Sequence, residues 1–198
     1  MKQVIVIHGG TTFASYEDYI KRLATKTLYP ERFVFKPMWR ELLQANLGDE
    51  YQVLTPTMPN KTNARYEEWK VWFTHLTDIM LDDCILIGHS LGGVFLAKYL
   101  SEHQFPRRIK GTILIAAPYD DDTEEDLTDF KLNSLTDSFI RQAGATTFFF
   151  GSDDPVISQA EIGKYHHDIP AATFHVLPAP DHFMREAFPE LTATIKAL

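Results

Sequence analysis

Short apolar runs and longer amphipathic stretches alternate along this chain, and most of the runs end at a turn-forming or polar residue. The runs at 2–7, 51–54, 84–88, 110–116, 146–150 and 173–177 are too short for helices and rich in aliphatic, aromatic and β-branched residues. The first is continuous rather than alternating, the mark of a strand covered on both faces. Between the runs the apolar spacing turns helical. Ser15 is the expected N-cap of a helix running to about Lys26. Met38, Leu42, Leu43 and Leu47 share one helical face that ends near Gly48. Further helices are expected over 64–80 (with Tyr66, Trp69, Trp72, Phe73 and Leu76), 91–103 and 157–168, and from about Pro189. Strand and helix alternate without a repeat or linker. The pattern predicts one domain over 1–198, a three-layer α/β/α sandwich on a doubly wound, mostly parallel six-stranded sheet.

Two segments interrupt this rhythm. Residues 28–48 form an insertion broken by Pro30 and Pro37, whose Phe33, Phe35 and Trp39 are expected to pack it onto the body. Leaning over a site, they would instead line an acyl pocket. Residues 118–141 form a lid-like connection in which Leu127, Phe130, Leu132 and Leu135 fit one or two short helices. It opens with Asp120, Asp121, Asp122, Glu124, Glu125 and Asp126, expected to be a solvated face. Beside a site, such a run would repel anionic substrates and favour cationic ones. It lacks EF-hand spacing for calcium.

The 198 residues are 44% hydrophobic and carry a net charge of −8, which argues against nucleic acid and anionic membrane surfaces as partners. The first apolar stretch is too short for a signal peptide. Cys84 is the single cysteine, expected to be a small buried hydrophobe. With no intrachain disulfide possible a reducing compartment fits, and a cytoplasmic protein is expected. His75, His103, His166, His167 and His175 lack ligand spacing with carboxylates or cysteine, so neither a metal nor a cofactor is expected.

The chemistry concentrates where the third run stops. Gly88-His89-Ser90-Leu91-Gly92 is a G-x-S-x-G pentapeptide between a strand and a helix. A sharp strand–helix bend would lift the Ser90 hydroxyl above the sheet and aim the Leu91 N–H at a developing oxyanion. The loop after the first strand, His8-Gly9-Gly10-Thr11, would supply a second N–H from Gly10 or Thr11, with His8 itself a satisfied loop histidine. A serine hydroxyl needs a base, and the base needs a partner that fixes its tautomer. In a doubly wound sheet the loops after strands three, five and six open on one side. The fifth carries Asp153 and Asp154, and the sixth carries His182. Asp154 is the favoured orienter, three residues past Gly151 and before Pro155, with Asp153 the alternate. Asp181, adjacent to His182, is expected to be a solvated loop acid.

With these residues in view, the chain resembles the α/β-hydrolase superfamily, and within it the small serine hydrolases related to retinoblastoma-binding protein nine. The matching features are residues 4–10, Met58-Pro59-Asn60 ahead of a helix bearing Trp69, the Ser90 pentapeptide, Gly151-Ser152-Asp153-Asp154-Pro155, and His182-Phe183. The insertion at 28–48 and the acidic stretch depart from the pattern. The resemblance implies a minimal lid and a six-stranded sheet. The expected function is hydrolysis of a small ester, thioester or amide through Ser90, His182 and Asp154. The alternatives are acyl transfer to an acceptor other than water, lyase chemistry on the same fold, and a protein-binding module with a relic triad.

Overall fold

In a computed structural model describing residues 1–120 and 126–198, each of the six apolar runs is a strand. They are β1 (Lys2–Ile7), β2 (Tyr51–Leu54), β3 (Cys84–His89), β4 (Ile109–Ile115), β5 (Ala145–Gly151) and β6 (Thr173–Leu177). The sheet order is β2-β1-β3-β4-β5-β6, and all five pairings are parallel. The chain runs outward from β1 to β2, then returns to place β3 on the other side of β1. That reversal makes a crevice at the carboxyl ends of β1 and β3, where open α/β sheets bind ligands.

The helices are α1 (Tyr16–Thr25), α2 (Trp39–Leu47), α3 (Tyr66–Leu76), α4 (Leu91–Glu102), α5 (Asp137–Gln142), α6 (Gln159–Asp168) and α7 (Pro189–Ala197). The side chains along β5 divide the layers. Phe148 and Phe150 point to the face where Tyr165 of α6 packs, and Phe149 points to the face of Phe188, which precedes α7. α3 and α4 lock through Trp69, Phe73 and Phe95, whose rings meet edge to face at 5.3–5.5 Å. Cys84 is fully buried in β3.

The connection from β4 to β5 sinks into this core. Phe130 is fully buried against Tyr66, Trp69 and Phe95, and Leu127, Leu132 and Leu135 are buried with it. The residues from Leu127 to Leu135 form one 3-10 turn at Thr128–Phe130, and α5 follows. Of the acidic run, Asp121, Asp122, Glu124 and Glu125 lie outside the described residues. Asp120 pairs with Lys164 at 2.5 Å.

Ser15 caps α1 as expected, its hydroxyl accepting the Asp18 N–H at 3.1 Å. The helix nevertheless buries no residue: Tyr16, Ile20 and Leu23 share an apolar stripe that stands in solvent. Phe33 and Phe35 are also 73% and 79% exposed, so they do not fasten the insertion to the body. Trp39 alone of the three does, because it starts a helix that packs against α7 while the two phenylalanines lie in the Pro-bounded segment before it.

Candidate active site

The bend after β3 is shaped by what a side chain would meet. A Cβ on Gly88 would stand 2.4 Å from the Gly92 carbonyl oxygen, and one on Gly92 would stand 2.3 Å from that of Ile7. Both contacts are far inside van der Waals range, so the helix sits this close to the strands only because the two residues are glycine. Between them Ser90 adopts φ 53°, ψ −124°, a left-handed backbone that residues with a Cβ rarely take. Leu91 begins α4, and its N–H belongs to the first turn, which has no carbonyl partner within the helix.

The β1 loop reaches the same place. His8 is neutral and fully used: its Nδ1 donates to the Gly9 carbonyl at 2.6 Å, and its Nε2 accepts the Met58 N–H at 2.9 Å. Burial is the main reason its pKa lies below the ordinary value, and the nearby Lys61 and Arg40 lower it further. Trp69 donates its indole N–H to the Pro59 carbonyl at 2.8 Å, fixing the β2 exit beside this loop. The Thr11 N–H is taken by the Lys61 carbonyl at 2.8 Å. That bond corrects the expectation for Thr11 as a donor to substrate, and it leaves Gly10 as the candidate from this loop.

The loops after β5 and β6 bring together Asp154 and His182. His182 Nδ1 lies 2.9 and 2.8 Å from the two Asp154 carboxylate oxygens. Asp154 also accepts the Val156 and Ile157 N–H groups, at 2.8 and 3.2 Å. Burial would raise its pKa, but the His182 hydrogen bond and charge and the two amides outweigh that and hold it below the usual value. Asp153 faces elsewhere and accepts the Ala179 N–H at 2.7 Å. Asp181 is not simply solvated: it forms an ion pair with Arg185 at 2.7 Å and accepts the Phe183 N–H at 3.1 Å.

Two residues outside the expected set shape the His182 loop. His182 and Phe183 both take left-handed backbone, at φ 53° and 55°. His89 Nε2 donates to the His182 carbonyl at 2.9 Å, and the Trp39 indole donates to the Phe183 carbonyl at 3.1 Å. The Trp39 backbone N–H adds a bond to the Arg185 carbonyl at 2.9 Å. His89 is fully buried, and desolvation first, then the His182 charge, push its pKa down to about 3. Its Nδ1 has no partner among the described residues, which fits the neutral tautomer with the proton on Nε2. No local motif signals these roles, since His89 and His182 are 93 residues apart in sequence.

Ser90 and His182 line one cavity of about 550 Å³. His8, Gly9, Gly10 and Thr11 from the β1 loop, residues 55–57 from the β2 exit, and Arg40, Lys61 and Met184 complete much of its wall. Among the described residues none of 118–141 lines it; the insertion contributes Arg40 and Glu41.

A strained serine at a strand–helix turn, on a parallel sheet with a carboxylate-held histidine in the loop three strands along, defines an α/β-hydrolase. The serine hydrolase family model matches residues 36–190, and the chain belongs to that family. Among solved structures, it is similar to the ydeN gene product of B. subtilis (TM-score 0.72, 19% identity, covering 100% of this chain and 98% of that one). It is also similar to a meta-cleavage product hydrolase, CumD (TM-score 0.66, 14% identity, 98% and 89%), and to the methylesterase MES16 from Arabidopsis (TM-score 0.60, 14% identity, 100% and 98%). At these identities the likeness is one of fold. No curated protein sequence matches the chain.

Proposed function

We propose that the protein is a carboxylesterase-like serine hydrolase acting through an acyl-enzyme. The observation that carries this reading is the His182–Asp154 pair, with His182 lining the same cavity as Ser90. Asp154 holds the proton on His182 Nδ1, leaving Nε2 as the base. Ser90 Oγ attacks the carbonyl carbon and its proton passes to Nε2. The Leu91 and Gly10 N–H groups receive the oxyanion, each worth about 3 kcal/mol where such donors have been removed in other enzymes. Nε2 then returns the proton to the leaving oxygen, sulfur or nitrogen as its bond to carbon breaks. Water adds to the acyl-enzyme by the same route, giving the free acid and Ser90. The β-sheet topology supports the arrangement, because all three loops leave the carboxyl ends of parallel strands.

Labelling with a fluorophosphonate, wild type against Ser90→Ala, tests it. The expected result is a single adduct on the Ser90 peptide, absent from the folded variant, together with loss of p-nitrophenyl acetate turnover. Turnover by Ser90→Ala equal to wild type would overturn the reading. Absence of labelling in folded wild type would favour a binding module instead.

A further inference from the structure

The cavity wall contains a guanidinium with almost nothing to hold. Arg40 is the second residue of α2, and its side chain is only 22% exposed. Its one polar partner among the described residues is the Glu41 carboxylate at 3.7 Å, too long for a hydrogen bond. Glu41 is already engaged, accepting the Met38 N–H at 2.9 Å as part of the α2 capping box. A guanidinium carries five N–H donors in a planar fork, and a largely buried one is ordinarily satisfied by a carboxylate, a phosphate or carbonyls. Arg40 lines the cavity that Ser90 and His182 also line, close enough for its charge to act on His8 and His89 there.

The remaining charges around the cavity reinforce the imbalance. Lys61 is a second cation on the wall, and Glu41 is the one carboxylate among the residues that line it. His8 and His89 are neutral, for the reasons given above, and both feel the Arg40 charge. The other polar groups include the hydroxyls of Thr11, Thr55, Thr57 and Thr62, which suit oxygen-rich substrates. The acidic connection after β4, expected to favour cationic substrates, places no described residue on this wall.

We infer that Arg40 binds a negatively charged group of the substrate, so that the preferred esters carry a carboxylate or a phosphate in addition to the acyl bond that is cleaved. This rests on the serine hydrolase reading. A planar fork favours bidentate contact with such oxyanions, and a pair made by a mostly buried guanidinium is stronger than one at an exposed surface. Lys61, more exposed, adds attraction at longer range.

The test compares matched esters. On the acyl side the pair is p-nitrophenyl butyrate and the p-nitrophenyl monoester of glutarate. On the leaving-group side phenyl acetate is set against 4-acetoxybenzoate and 4-acetoxyphenyl phosphate, which separates carboxylate from phosphate and one end of the site from the other. For at least one anionic ester, kcat/KM in the wild type should exceed that of its neutral partner about tenfold, mostly through KM. In Arg40→Gln that ratio should fall by about tenfold, and in Arg40→Lys by less, since the charge remains and the fork is lost. Added salt should lower the wild-type ratio. A wild-type ratio at or below one on both sides, or a ratio unchanged in folded Arg40→Gln, would overturn the inference. Ser90-dependent hydrolysis of the neutral esters would then still stand, so the two failures are distinguishable.

Discussion

The imidazole of His89 donates to the main-chain carbonyl of His182, 2.9 Å away, so the residue before Ser90 holds the backbone of the candidate base. His182 occupies a left-handed conformation that the surroundings must maintain. His89→Ala is expected to lower kcat by about 10²-fold, the scale of a small misplacement of a catalytic group. His89→Gln, which can present its amide N–H near the Nε2 position, should recover a substantial part. Steady-state kinetics with Ser90 labelling checks this; equal kcat in Ala and Gln variants would mean the bond does not position the base.

Trp39→Phe keeps the ring and removes the indole N–H that the buried Phe183 carbonyl accepts. An unsatisfied buried acceptor costs about 1–3 kcal/mol. In a protein of this length each kcal/mol corresponds to about 2–4 °C in Tm. Calorimetry should therefore show a fall of several degrees, with kcat reduced alongside.

The buried histidine also sets a pH dependence. The His89 pKa lies at about 3 in the folded protein and near 6.5 when unfolded. Between those values the unfolded chain binds a proton that the native state does not, so stability falls as pH drops below about 6.5, with a slope approaching 1.4 kcal/mol per pH unit. His8, shifted down as well, acts in the same direction. Glu161 opposes them: burial raises its pKa from 4.5 to about 7, so its contribution declines as pH rises through that window. Urea unfolding of wild type and His89→Gln at pH 4.5, 5.5 and 6.5 isolates the histidine. The gap between the two should shift in favour of the variant as pH falls.

The neighbouring aspartates should separate cleanly. Asp154→Asn would leave His182 without its carboxylate and is expected to lower kcat by about 10³–10⁴-fold. Asp153 holds the Ala179 N–H, so Asp153→Asn should mainly alter stability, by about 1 kcal/mol. Kinetics and thermal melts on both variants give the comparison, and a larger kcat loss at Asp153 would reverse the assignment.

Gly92→Ala would place a methyl 2.3 Å from the Ile7 carbonyl oxygen, and that atom is backbone in the centre of the sheet. The expected cost is about 3 kcal/mol or more, at the upper end for overpacking, with loss of probe reactivity at Ser90. A soluble variant with wild-type Tm would show that α4 can shift without cost.

The elements were legible in the sequence because their signals are local. Six apolar runs became six strands within a residue or two, and the 64–80 stretch became α3 followed by a 3-10 turn at Thr77–Ile79. The glycines around Ser90 and the order of the three site loops could be read for the same reason. What could not be read depends on contacts between distant segments. The exposed Phe33 and Phe35 look no different from core residues in sequence, and nothing near Arg40 marks it as a cavity residue. Thr11 and Gly10 are equivalent until the Lys61 carbonyl, fifty residues further on, claims one of them.

The order of the strands also carries a consequence for how the chain comes alive as it is made. β1 waits for β3 before it acquires its inner neighbour, and β6 pairs only with β5. Parallel pairings of this kind close long loops and are among the slower steps in folding. The turn bearing Ser90 can therefore be complete on a nascent chain well before His182 has emerged. On the serine hydrolase reading proposed above, Ser90 would lack its base through that interval, and turnover would begin only once β6 and the His182 loop have docked beside β5.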